Sequence, residues 1–199
     1  MDMKGFWLGL AVGTVSTCLF GPWVFSASSR DADATDGIAP QVVANYIHSI
    51  VQADRTFYTN EIVERMQTRG IVSASEHWKE TGDLPLPAQF VLETGRIVAQ
   101  EAHGIRYRLI SNWPINKKNG PMTEFERTAL TKVLAHADRP YAAITTEGKT
   151  RVFQALYADK ALSQRCADCH NVHPRSARRD FKAGHVMGGI LLTIPLASK

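Results

Sequence analysis

Hydrophobic and polar positions divide the chain into three regimes. Residues 5–25 are predominantly apolar and carry no charge. From about Pro40 to Arg69, apolar side chains recur every three or four positions: Val42, Val43, Tyr46, Ile47, Ile50 and Val51, then Ile62, Val63 and Met66. That period predicts one long helix, with Gly70 as its stop. Ala88 to His103, with Phe90, Val91, Ile97 and Val98 apolar, predicts a second helix closed by Gly104. Between the two, Pro85 and Pro87 exclude a regular helix, because proline lacks the amide donor and clashes with the preceding turn. Residues 73–87 therefore read as loop.

After Gly104 the period shortens to two. Ile105 to Ile110 alternates and predicts a strand. Thr123 followed by Glu126 has capping-box spacing and opens a helix to about Ala137. Tyr141–Thr145 and Arg151–Tyr157 flank the turn Glu147-Gly148-Lys149 and predict a hairpin. Val186 to Ile194 is a last apolar strand, closed by Pro195. Helices followed by an antiparallel meander make an α+β domain.

The apolar run of 21 residues is long enough to cross a bilayer as a helix. Trp7 and Trp23 lie near its ends, where interfacial aromatics belong. A cleaved signal peptide is the competing assignment. The run exceeds the usual central region of such a peptide, and residues 26–29 offer no clean Ala-x-Ala. An uncleaved anchor over residues 1–27 is therefore expected. Lys4 precedes the run, and Arg30 follows it beside Asp31, Asp33 and Asp36, so the positive-inside rule puts everything after residue 30 outside the cytoplasm. The expected location is a single-pass inner membrane protein with its folded part in the periplasm. Residues 28–39 read as a polar linker and 40–199 as the domain.

The candidate chemistry lies in Cys166-Ala167-Asp168-Cys169-His170. Cys-x-x-Cys-His is the attachment signature of a c-type haem. Two thiols three residues apart on a helical turn can each add to one haem vinyl group, and the next residue can supply an imidazole to the iron. A thioredoxin-like pair needs no following His and prefers a βαβ setting. A zinc site from Cys166, Cys169, His170 and His173 would crowd four ligands into eight residues. One covalent haem c, with His170 as proximal iron ligand, is expected.

Composition adds little. The chain is 44% hydrophobic and 21% charged, as globular chains are, and its net charge of +4 is too small to argue for nucleic acid. Arg175, Arg178, Arg179 and Lys182 follow the motif closely. Arg175 and Arg179 are candidates for pairing with haem propionates, since arginine binds carboxylates bidentately. A solvated basic face that steers an acidic partner accounts for them equally well.

Residues 40–196 resemble the periplasmic c-type haem PAS-like domain. The matching stretches are Ser73 to His77, Leu84 to Gln89, Ser111 to Asn116, Phe125 to Leu130, Cys166 to Pro174, and Asp180 to Lys182 with Val186 to Gly189. The resemblance implies a PAS-like antiparallel sheet flanked by helices and one covalent haem on Cys166, Cys169 and His170. The family usually has Asp after Gly184, where this chain has His185. Members differ in the sixth iron ligand: Cys, Met, water or His. Cys18 falls in the apolar run and the other two cysteines are consumed, leaving His77, Met66, His103, His173, Met122 and His185. His77, in a loop that matches the family, is favoured as distal ligand, and Met66 is the alternative. His48 and His136 read as helix-surface residues.

Two functions follow. A tethered single haem suits electron transfer, as a carrier or as a redox or accessory subunit of a membrane complex. The PAS-like resemblance also suits a haem-based redox or gas sensor. With four residues before the apolar run, a sensor would signal through a separate partner. No nucleophile–base constellation is legible, so an enzyme is not expected.

Overall fold

The computed structural model describes residues 37–101 and 104–196. The expected anchor with Cys18, most of the linker, and His103 lie outside the described residues. Among the described residues no helix is long and apolar enough to cross a membrane.

Helix α1 (Pro40–Phe57) starts with proline at its first turn, where the missing amide costs nothing. It continues through a π-helical segment, Tyr58–Glu64, into α2 (Arg65–Thr68). The predicted single helix is thus one continuous run with a widened middle. Threonine hydroxyls account for part of this: Thr56 and Thr59 donate to the carbonyls of Gln52 and Arg55, both at 2.7 Å, in competition with the helical ladder. The widening has a packing result. In a plain α-helix, residues four apart drift about 40° around the axis per step. Here Val51, Arg55, Thr59 and Val63 are all buried. Gly70 ends the run with φ 66°, its amide on Gln67 O and that of Ile71 on Met66 O, both at 3.0 Å.

The expected loop holds two parallel two-residue strands, β1 (Ala74–Ser75) and β2 (Leu84–Pro85), around a single turn, α3 (Trp78–Thr81). Helix α4 (Pro87–Glu101) follows, then β3 (Arg106–Ile110), α5 (Glu124–Ala135), β4 (Tyr141–Glu147), β5 (Thr150–Lys160), α6 (Gln164–Val172) and β6 (Val186–Pro195).

The four long strands form one antiparallel sheet in the order β3-β6-β5-β4. The expectation of a meander in chain order is corrected at one place: β3 pairs with the last strand. The apolar run Ile190 to Ile194 is buried throughout. A strand with two apolar faces must be covered on both and takes a central position. β3 and β4, with exposed Arg106, Thr146 and Glu147, are the edges.

Alternation assigns the two faces. Tyr107, Leu109, Phe153, Ala155, Tyr157, Ile190, Leu192 and Ile194 meet Ala44 and Val51 of α1 and Val91 of α4. Ile110, Leu156 and Leu191 meet Ala129, Leu130 and Val133 of α5. Half of the predicted α1 stripe is not used: Val42, Tyr46 and Ile50 stay exposed. The capping box is also half made. Thr123 Oγ1 accepts from the Glu126 amide at 3.2 Å, but Glu126 turns away to Arg108 at 2.7 Å and the Met122 amide at 2.6 Å.

Candidate cofactor-attachment site

Cys166, Cys169 and His170 all lie on α6, at spacings of three and four residues that bring side chains to one helical face. Both thiols are free; Cys166 is half-buried and Cys169 exposed. Partial burial of its thiol, then the charges of Glu76 and Cys166, push Cys169 up from the ordinary thiol range. The thiol form, the one with a hydrogen to give, is thereby favoured.

His170 is oriented by its own helix. Its Nδ1 lies 3.3 Å from the carbonyl oxygen of Cys166. A carbonyl only accepts, so Nδ1 carries the proton and Nε2 keeps its lone pair. That is the tautomer a metal ligand needs. Burial is the first cause holding the ring's proton affinity below its ordinary value; the bond to Cys166 O opposes it, and the Arg55 charge adds to it. The ring of Phe181 stands nearly perpendicular to that of His170, with centroids 6.0 Å apart.

Three ties hold α6. Asn171 makes two bonds to the backbone of Phe181, each 2.9 Å. Gln164 accepts from the Ala183 amide at 3.1 Å. At the helix end, His173 Nε2 donates to Glu76 at 2.5 Å while its Nδ1 accepts from the Arg175 amide at 3.1 Å. Both nitrogens of His173 are therefore taken, and it is not free for an iron. Beneath the helix, Ala161, Ala167 and Phe181 form a small core with Trp113, Cys166 and Met187. Arg178 lies against both Trp113 and Phe181, 4.6 Å from each ring centre.

Among the described residues no three His, Cys, Asp or Glu side chains are grouped to hold a metal ion. The donor set does fit a covalently attached haem, with two free thiols and an imidazole whose free nitrogen is Nε2. One buried donor is left unpaired. The Nε atom of Arg55 is buried and has no hydrogen-bond partner.

The other expected residues are placed as follows. Arg175 donates to Glu76 at 2.6 Å, and Arg179 donates to the carbonyls of Asn171 and Pro174. His77 is largely exposed, its Nδ1 3.8 Å from Glu80, in the loop that Glu76 fastens to the end of α6. Met66 is half-buried in α2, Met122 is exposed, and His185 uses its backbone to close the loop onto Ala161 at 2.9 Å. His48 is corrected: it is half-buried and stacked on Tyr157 with centroids 4.0 Å apart, because the helix turns that side toward β5. Glu76, Asn171, Arg55 and Asp159 were missed. For Arg55 a signal existed, a charge spaced four residues from both Val51 and Thr59 on an otherwise uncharged stripe.

Residues 39–195 match the family model Tll0287-like: Tll0287. The chain belongs to the Tll0287-like family. The family placement expected from the motifs holds, and this Tll0287-like domain spans all the elements above. The crystal structure of the cyanobacterial heme-protein Tll0287 is similar at 17% identity, covering 81% of this chain and 99% of that one, with a TM-score of 0.46. No curated protein matches the chain.

Proposed function

We propose that this Tll0287-like protein is a membrane-anchored monohaem c-type cytochrome of the periplasm, built on a PAS-like domain, that passes single electrons to or from an acidic partner. The observation that carries this is the arrangement on α6, with two free thiols and an imidazole oriented by Cys166 O.

Cys166 and Cys169 would each add across one vinyl group: a sulfur–carbon bond forms, the thiol hydrogen goes to the other vinyl carbon, and nothing is oxidised. His170 Nε2 would hold the iron. The haem, when bound, supplies one reversible one-electron couple. The chain's part is orientation and charge. Between residues 160 and 185 stand six basic side chains, Lys160, Arg165, Arg175, Arg178, Arg179 and Lys182, against Asp168 and Asp180. A surplus of this kind steers an acidic protein toward the exposed Cys169 side. Residues 5–25 would hold the domain at the membrane.

The test is production of the full chain with a haem-attachment system. A thioether-type pyridine haemochrome is expected, with pigment that stays on the chain in acidified acetone. Loss of that pigment in C166A/C169A is expected too. A wild-type chain with bare polypeptide mass would overturn the proposal. Electron exchange with an acidic redox protein should slow as salt rises. Prompt carbon monoxide binding to the reduced form, without such exchange, would favour a sensor instead.

A further inference from the structure

Arg55 and Asp159 form a buried ion pair 104 residues apart in sequence, with side chains 7% and 10% exposed. It lies at the entry to the attachment helix: Asp159 is four residues before Ser163, the residue that immediately precedes α6. The pairing of β5 with β6 shifts register between Asp159 and Lys160, the kind of irregularity that re-aims a side chain. On the other side, Arg55 is the last buried side chain of α1 before the π-helical segment, a form of helix that often marks functional sites.

The pair is incomplete. Arg55 spends a terminal nitrogen on Asp159, while its Nε–H is buried with no acceptor. Arginine stays charged at any working pH, and its charge is among the causes that lower the proton affinity of His170. A buried pair with one unused donor is a poor way to hold two elements together, since apolar side chains of similar volume do this at least as well.

We propose that Arg55 is a positioning residue for the haem, its free Nε–H and buried charge directed to the group carried by α6, with Asp159 as the counter-charge that limits the effect. The inference rests on the haem reading above. Its consequence is electrostatic. Reduction lowers the iron charge by one, so a fixed positive charge nearby favours the reduced state and a negative one the oxidised state. Burial keeps salt from screening either.

The experiment is a redox titration of the full, haem-loaded chain with chemical reductant and oxidant, monitored by absorbance. R55Q is expected to lower the midpoint potential and D159N to raise it. R55K, which keeps the charge, should lie closer to wild type than R55Q. If the single neutralisations do not accumulate, R55K and the charge-balanced R55Q/D159N decide: the double variant should sit below R55K. A purely structural pair would lower the melting temperature in all variants without separating their potentials. Shifts of one sign for R55Q and D159N, or coincident potentials for R55K and R55Q/D159N, would overturn the inference. A wild-type chain without thioether haemochrome would instead remove the reading it rests on.

Discussion

Glu76 accepts a hydrogen bond from His173 Nε2 at 2.5 Å and thereby joins a loop near the start of the domain to the end of α6. Its second oxygen takes Arg175 at 2.6 Å. Glu76 is partly shielded, so Glu76→Ala should lower stability by about 1–2 kcal/mol, as loss of a charged hydrogen bond does. A urea melt measures this. In the haem-free chain the same change should move the alkylation midpoint of Cys169 to lower pH, because the Glu76 charge helps hold that thiol up. An unmoved midpoint would show that Glu76 does not act on the thiol.

The same clamp carries His77. If His77 closes the distal side, the ferric haem is six-coordinate and low-spin, and His77→Ala converts it to high-spin or water-bound haem. Absorbance and electron paramagnetic resonance read the change. An unaltered spectrum would pass the assignment to another residue, with Met66 next.

His48 makes stability depend on pH. Burial holds its imidazole below the ordinary value of 6.5, and its Nε2 has no partner. The unfolded chain binds that proton near 6.5 and the folded chain resists it, so the contribution is present above about 6.5 and lost as pH falls below it. Denaturation of His48→Phe should show a flatter decline between pH 7 and 5 than wild type. Parallel curves would rule out His48 as the source.

Gly95 sets how closely α4 lies on β3. A Cβ there would come 2.5 Å from Tyr107 O, a backbone atom that cannot step aside alone. Gly95→Ala should destabilise by roughly 1–3 kcal/mol through overpacking. A thermal melt tests it, and a wild-type transition would mean that the helix shifts freely.

Periodicity located the long elements because each repeats its pattern over several turns or pairs. The α1 run, α4, the β4–β5 hairpin and β6 all fall within a few residues of where alternation placed them. The π-helical segment, with Tyr58 stacked on Phe90, left no trace in the pattern of apolar positions. Nor did the two-residue strands β1 and β2, which are too short to show a period. His48 and Tyr46 were misassigned for one reason. A stripe is legible in sequence, but which side meets the sheet is not: His48 packs on Tyr157 while Tyr46 is exposed.

The linear chain by itself determined which donor groups stand together. Thiol, thiol and imidazole at offsets of three and four lie on one helical turn whatever surrounds it, because those offsets are local geometry. Tertiary structure decided what that turn faces. Glu76 meets His173, and Arg55 meets Asp159, only once the sheet has brought distant segments together. Contacts across about a hundred residues are fixed by packing, which no local period encodes.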